Sequence, residues 1–385
     1  MIPLIVIAGP TTSKKSDTAI ELAEKLNAEI ISADSMQVYK YFDIGTAKVS
    51  PEGRARVPHH LIDILEPSEN FTAFDFKTLA LNLIRNLVKR NKIPIITGGT
   101  GLYLKVLCED YNCAVQINPE IKKQVQSETL SKGLSVLYKE LQGVDPTSAK
   151  KILPTDTQRI ERAVSVYRQT GIALSAFNET YSKSKYEFPI YTFLIKRDRE
   201  SLYTDINQRV DNMMKNGWVE EVRSIIDGGF SKRLKPFQSI GYSQIVDFLD
   251  KKQSLEQTID LIKRDTRHYA KRQITWFKKL YDSKTIDADS RDSPITLRDK
   301  ILSLIPKTAI AVLLLFLFVF EFAPTVAAKT NTYPSALSQF QKENYSKAAI
   351  LFRNIHSSDP NSKDGKRSLY LLGHSLAKVK KSSEA

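Results

Sequence analysis

An α/β fold is predicted, with a parallel sheet covered by helices on both faces, an all-helical insertion, and an apolar helix with a helical tail after it. Three observations carry this. Short Ile-rich apolar runs alternate with helical patterns over the first hundred residues; a glycine-led, lysine-containing loop follows the first run; and strand signals disappear between about Asn118 and Thr180.

"PLIVIAG", "AEIISAD", "HLIDIL" and "IPIITGG" read as buried strands bounded by turn residues, with "DFKTLALNLIRNLVKRN" at helical spacing between the last two. Such alternation argues a parallel sheet, in which ligands collect at the carboxyl ends of the strands. Gly9–Ser16, Asp34 and "TGGTG" (97–101) all fall there. From Pro119, "PEIKKQVQSETLSKG", "LSVLYKELQGV", "PTSAKKIL" and "TDTQRIERAVSVYRQTG" are helical, and "YTFLIKR" from Tyr191 reads as one returning strand. Three helices are expected after it, the last being "LEQTIDLIKRDTRHYAKRQITWFKKLY"; its basic and aromatic residues read, taken alone, as a solvated surface. The expected organisation is a catalytic core over 1–117, a helical insertion over 118–185, a return to the core over 186–300, an apolar segment over 301–330 and a tail over 331–385.

Charge and cysteine usage bound the function. The net charge is +14, of which residues 301–385 hold +6 and residues 1–300 the remaining +8. A basic globular part fits a polyanionic partner such as nucleic acid, although surplus lysine also solubilises. Cys108 and Cys113 have no companion Cys/His pair, which argues two free thiols rather than a zinc site. "TAIAVLLLFLFVFEF" (308–322), extended to Ala328, approaches the length of a membrane span, and its basic flank and small "VAA" also match a secretory signal placed internally. A membrane segment is expected there, with the catalytic part on the cytoplasmic side of Lys300 and Lys307. The tail spacing Tyr345, Ala348, Phe352, Pro360, Leu372-Gly373 resembles a tetratricopeptide repeat.

"GPTTSKKS" carries the chemistry. A P-loop has the form G-x-x-x-x-G-K-[ST]. Gly9, Pro10, Thr11, Thr12, Ser13, Lys14, Lys15 and Ser16 match it except that Lys14 stands at the second glycine. Its amides, at a helix N-terminus, would bind phosphate, with Lys15 adding charge and Ser16 a hydroxyl for magnesium. A side chain at position 14 forfeits backbone freedom at about 1 kcal/mol, more if a positive φ is required. Asp34 suits a metal ligand, a general base or a helix cap; Thr100 suits a ligand contact or the cap of the helix that follows it.

The segments "GPTTSKKS", "ISADSMQVYKYFDIGTAK", "PHHLIDI", "FTAFDF", "TGGTGLYLK", "DTQRIERAVSVYRQTG", "SIGYSQI" and "TRHYAKRQITWF" resemble, in the same order, those of bacterial tRNA dimethylallyltransferases over about residues 2–285. The resemblance implies a P-loop NTPase-like core and Mg2+-dependent transfer of a prenyl group from dimethylallyl diphosphate to N6 of adenosine 37 beside the tRNA anticodon. It implies that the loop holds the diphosphate, that Asp34 takes the N6 proton, that Thr100 meets the substrate and that Arg209 steadies the departing diphosphate. It implies adenine contacts at Ser35, Met36 and Gln37, and contacts to the anticodon stem-loop at Lys122, Gln158, Arg159, Ile160, Glu161 and Arg162, in a monomeric catalytic part. Three alternatives stay open: a tRNA-binding homologue impaired by Lys14, an adenylate prenyltransferase and a P-loop phosphotransferase.

Overall fold

The first apolar run forms β1 (Leu4–Ala8), every residue of which is buried. Leu4, Val6 and Ala8 pack into one core and Ile5 and Ile7 into another. This is the two-sided burial that makes a parallel strand read as a continuous apolar run. A computed structural model describes residues 2–109, 115, 117–180, 188–278, 280, 282–306, 333–342 and a few later positions. It divides into two units, 1–313 and 314–385.

In the first unit β1 is followed by α1 (Lys15–Leu26), β2 (Ala28–Ser32), α2 (Pro51–Arg56), β3 (His59–His60), α3 (Ala73–Lys89), β4 (Ile93–Gly98) and α4 (Gly101–Cys108). The helical stretch holds α5 (Pro119–Lys132), α6 (Leu134–Val144), α7 (Pro146–Ala149), α8 (Thr157–Thr170) and α9 (Leu174–Thr180). The chain then returns through β5 (Ile190–Arg197), α10 (Arg199–Lys215), α11 (Trp218–Asp227), α12 (Tyr242–Leu249), α13 (Leu255–Phe277), β6 (Ser283–Ala288) and α14 (Pro294–Leu304). The six strands are all parallel, in the order β3-β2-β4-β1-β5-β6. β1 lies between β4 and β5, so the loops after β1, β2 and β4 open side by side at one end of the sheet.

One face of the sheet is covered by α1 and α14 through Ile20, Leu22, Leu26, Leu297 and Ile301. The other is covered by α3, α4 and α11–α13, with Phe76, Ile84, Leu104, Trp218, Tyr242 and Phe277 buried there. α5–α9 carry their own cluster around Val125, Leu137, Leu141 and Ile160.

Several expectations are corrected. "HLIDIL" is a strand only at His59–His60; Leu61 (φ 61°) and Asp63 (φ 55°) turn the chain, and Asp63 is held by Lys48 and Arg54. Four α-helices, not three, lie between β5 and β6, and β6 itself goes unread because only Ile286 and Ala288 of its six residues are buried. The return to the core runs past residue 300, since α14 carries Ile301 into the core against α1. Nor is α13 a merely solvated helix, because Thr258, Ile262, Ala270, Gln273 and Phe277 are buried. The transmembrane helix is withdrawn: among the described residues no helix is long and apolar enough to cross a membrane. Residues 308–328 themselves lie outside the described residues, as does Cys113. Cys108 is a free thiol whose pKa burial pushes up to about 12. In the second unit, α15 (Tyr333–Gln341) packs Ala336 against Ala348, Phe352 and Ile355; Pro360 and Gly373 lie outside the described residues.

Candidate functional site

The loop after β1 takes a conformation its sequence does not favour. Thr12 (φ 60°) and Lys14 (φ 62°) are both left-handed, and such a conformation in a β-branched threonine is uncommon. Three distant segments hold them. The Gln273 amide of α13 accepts from Thr11 N at 2.9 Å and donates to Gly99 O at 2.9 Å, joining this loop to the one after β4. Buried Arg197, at the end of β5, donates to Thr12 O at 3.0 Å and pairs with Asp205. Lys14 Nζ donates to Asp292 O at 2.7 Å and Ser290 O at 3.2 Å. The left-handed lysine costs about 1–2 kcal/mol, and two charge-assisted hydrogen bonds at about 1.5 kcal/mol or more each offset it.

The loop forms one wall of a 930 Å³ cavity lined also by Asp34, Ser35, Met36, Gln37, Thr97–Gly99, Arg209, Trp218, Tyr269, Arg272 and Gln273. Lys15 Nζ donates to Pro10 O at 3.2 Å. Burial and the neighbouring Arg209 lower its pKa to about 8, with Asp34 and Asp17 opposing them. Burial lowers Arg209 as well, Asp34 and Asp17 again opposing, and Arg209 has no hydrogen-bond partner among the described residues. Burial raises the Asp17 carboxyl in the first turn of α1. The Ser16 hydroxyl also lines the cavity without a hydrogen-bond partner among the described residues.

Asp34 Oδ1 accepts from Met36 N at 2.8 Å and Gln37 N at 3.3 Å, so one carboxylate oxygen does cap the turn that follows. Asp34 Oδ2 has no such partner among the described residues. Thr100 precedes α4, yet its hydroxyl does not cap that helix; it accepts from Ser35 N at 3.0 Å and fixes the loop after β2. Gln37 accepts from Ser32 Oγ at 3.0 Å and donates to Thr46 O at 3.2 Å and Ala47 O at 3.3 Å, which braces the 34–47 loop.

The "SIGYSQI" and "GWVEEV" segments support that loop from behind. Trp218, 2% exposed, lies against Gly45 and Gly241, where an added Cβ would come within 2.2 and 2.0 Å of the indole. Glu221 accepts from Asp43 N at 2.9 Å, Ile44 N at 2.7 Å and Tyr242 Oη at 2.7 Å.

The structure therefore brings Thr11–Ser16, Asp34–Gln37 and Arg209 to one cavity, with Thr100 bonded to its wall. Gly9 and Pro10 lie just behind, at the start of the loop. Lys122 and the Gln158–Arg162 run are not among its lining residues. Within that run, Ile160 is fully buried in the helical cluster, which corrects its place among RNA contacts. Glu161 accepts from Thr129 Oγ1 at 2.8 Å, Arg162 donates to Val115 O at 2.6 Å, and Gln158 and Arg159 are exposed. Sequence reasoning missed Gln273, Arg197, Trp218 and Glu221 as individuals; the specificity of "AKRQITWF" and "SIGYSQI" was the available signal for the first and for the glycine against Trp218.

The IPP transferase family model matches residues 37–280. The tRNA dimethylallyltransferase of Alkaliphilus oremlandii is 41% identical over 300 residues, 78% of this chain and 96% of that protein. That of Carboxydothermus hydrogenoformans is 45% identical over 277 residues, 72% of this chain and 89% of its own. Among solved structures, the full-length tRNA isopentenylpyrophosphate transferase of Bacillus halodurans aligns with a TM-score of 0.60 and 33% identity, covering 81% of this chain and 98% of that one. A eukaryotic dimethylallyltransferase acting on tRNA aligns with a TM-score of 0.70 and 30% identity, covering 81% and 80%. The chain belongs to the IPP transferase family.

Proposed function

We propose that this chain is a tRNA dimethylallyltransferase, moving a dimethylallyl group from dimethylallyl diphosphate to N6 of adenosine 37 and releasing diphosphate. The observation that carries the reading is that Lys15, Asp34 and Arg209, from three separate segments, line one cavity. The amides of residues 11–16, Lys15 and Arg209 bind the diphosphate and stabilise the charge that grows on it as the allylic C–O bond breaks. The adenine is turned out of the anticodon loop to reach the cavity, beside Ser35 and Met36, since single-stranded loop bases can be unstacked. Asp34 Oδ2 takes the proton that N6 loses as its nitrogen bonds to the prenyl carbon. Thr100 acts through Ser35, holding the loop that carries Asp34.

The site fits magnesium in the manner of a phosphate-bound ion, with Ser16 Oγ as the protein oxygen and the diphosphate supplying others. Among the described residues no group of three or more His, Cys, Asp or Glu could cage one. When bound, such an ion would supply charge neutralisation of the leaving group. The tRNA stem meets the helical stretch at Lys122, Gln158 and Arg159, while Glu161 and Arg162 shape that surface from within.

The impaired reading is disfavoured because Lys14 adopts the left-handed conformation that a glycine there would supply. An adenylate prenyltransferase is disfavoured by the helical stretch, which a free nucleotide does not need. Incubating full-length protein with labelled dimethylallyl diphosphate, magnesium and unmodified tRNA should label the tRNA. Folded protein that leaves tRNA unlabelled, or that labels free adenylate instead, refutes the proposal.

A further inference from the structure

We propose that Lys14 is a positioning residue of the diphosphate site, fastening the phosphate loop to the turn at 289–292 and so making the β6–α14 connection part of that site. The inference deepens the function proposed above and rests on its diphosphate.

Two residues of the loop, Thr12 and Lys14, are left-handed without being glycine. Freed from restraint, each would relax toward an ordinary backbone region, and the amides between them would no longer face one ligand. Thr11 and Thr12 are restrained through Gln273 and Arg197. Among the described residues Lys14 has no backbone bond of that kind to a distant segment; its restraint is its own amine, which donates to the carbonyls of Ser290 and Asp292.

That acceptor pair belongs to a well-tied turn. Asp292 Oδ2 accepts from Asp289 N at 2.8 Å and from Lys300 Nζ at 2.6 Å, and Asp292 N donates to Asp289 O at 3.1 Å. Lys300 belongs to α14, which is packed on α1, the helix that opens at the loop. The clamp therefore closes a circuit: loop, turn, α14, α1 and back to the loop. Two of the three N–H donors of the Lys14 amine are taken by these carbonyls, so the geometry assigns Lys14 to shaping the cradle and leaves the main charge to Lys15. The lysine at the glycine position supplies by tethering what glycine supplies by conformational freedom.

Calorimetric titration of the full chain with inorganic diphosphate in magnesium buffer tests this. Lys14→Met should weaken binding about tenfold and raise the donor KM in step, with the tRNA KM changed less than about twofold. Asp292→Ala, which loosens the turn without touching the cavity, should weaken it about three- to tenfold, and the double variant should be no weaker than Lys14→Met alone. Should Lys14→Met fail to fold, Lys14→Ala, which also lacks the amine and still carries a Cβ at a left-handed position, takes its place in the cycle and is read identically, whereas Lys14→Gly, which needs no tether, should bind diphosphate within about threefold of wild type. Unchanged diphosphate affinity in Lys14→Met, or additive effects of the two substitutions, overturns the inference. Wild-type protein that binds no diphosphate would instead bring down the functional reading beneath it.

Discussion

Removing the Gln273 side chain is the most informative single perturbation of the loop, because one amide satisfies two loops at once. In Gln273→Ala, Thr11 N loses its acceptor and Gly99 O its shorter donor, keeping only the Tyr269 hydroxyl at 3.5 Å. Each buried polar group left unpaired costs about 1–3 kcal/mol, and the neighbouring cavity lets water recover part of it. The sum is about 2–4 kcal/mol. At roughly 2–4 °C per kcal/mol for a unit of this size, the main unfolding transition should fall by about 5–15 °C. The donor KM should rise with it, because the loop amides lose their alignment. Gln273→Glu separates the two bonds: it keeps an acceptor for Thr11 N but sets a carboxylate against Gly99 O, so it should recover little of the stability. The measurement is differential scanning calorimetry beside steady-state kinetics at varied donor. A Gln273→Ala protein that melts within about a degree of wild type with an unaltered donor KM would refute the bridging argument.

Other outcomes follow from the same geometry. Gly241→Ala puts a Cβ 2.0 Å from the Trp218 ring at a φ of +91°, so it should cost about 3 kcal/mol or more and shift the Trp218 fluorescence on thermal unfolding. Lys15 has a folded pKa of about 8, below its ordinary value, so diphosphate affinity should be lost as pH rises through about 8. Stability moves the other way: the buried ammonium destabilises below pH 8, and that penalty is relieved between pH 8 and the unfolded value of 10.5. Wild type minus Lys15→Met, followed by titration calorimetry and by denaturant unfolding across pH 7–10.5, isolates both trends; parallel slopes would contradict the burial of Lys15. Ile160→Ala should cost about 2–4 kcal/mol by leaving a hole in the helical cluster, whereas exposed Arg159→Ala should leave the melting temperature alone and weaken tRNA binding in a filter assay.

Legibility followed burial. β1, β2 and β4 are buried on both faces and read as apolar runs, whereas β6 buries two of six residues and carries no such pattern. "HLIDIL" is as apolar as a strand, but its apolar side chains serve a turn pinned through Asp63. Asp34, Arg209 and the 9–16 loop could be picked out as candidates because residue type within specific motifs marks them, and the fold brings Asp34, Arg209 and Thr11–Ser16 to one cavity. Gln273 and Arg197 were not, because a glutamine or arginine becomes a loop clamp only when the fold sets it against a particular carbonyl or amide. Ile160 misled for the converse reason: between the charged residues of "QRIER" it is the one that packs the helix into its cluster.

What the amino-acid sequence determined by itself was local and repetitive: the strand–helix alternation, the helical stretch after Pro119, the loop motif and the family resemblance that names a chemistry. Whether Lys14 spoils or serves its loop was beyond it. A lysine in place of glycine has a fixed local cost, but the two carbonyls that answer its amine lie 276 and 278 residues away and come within reach only through the packing of α14 on α1. Local propensity is written in neighbouring residues; the compensation for violating it is written in the tertiary fold.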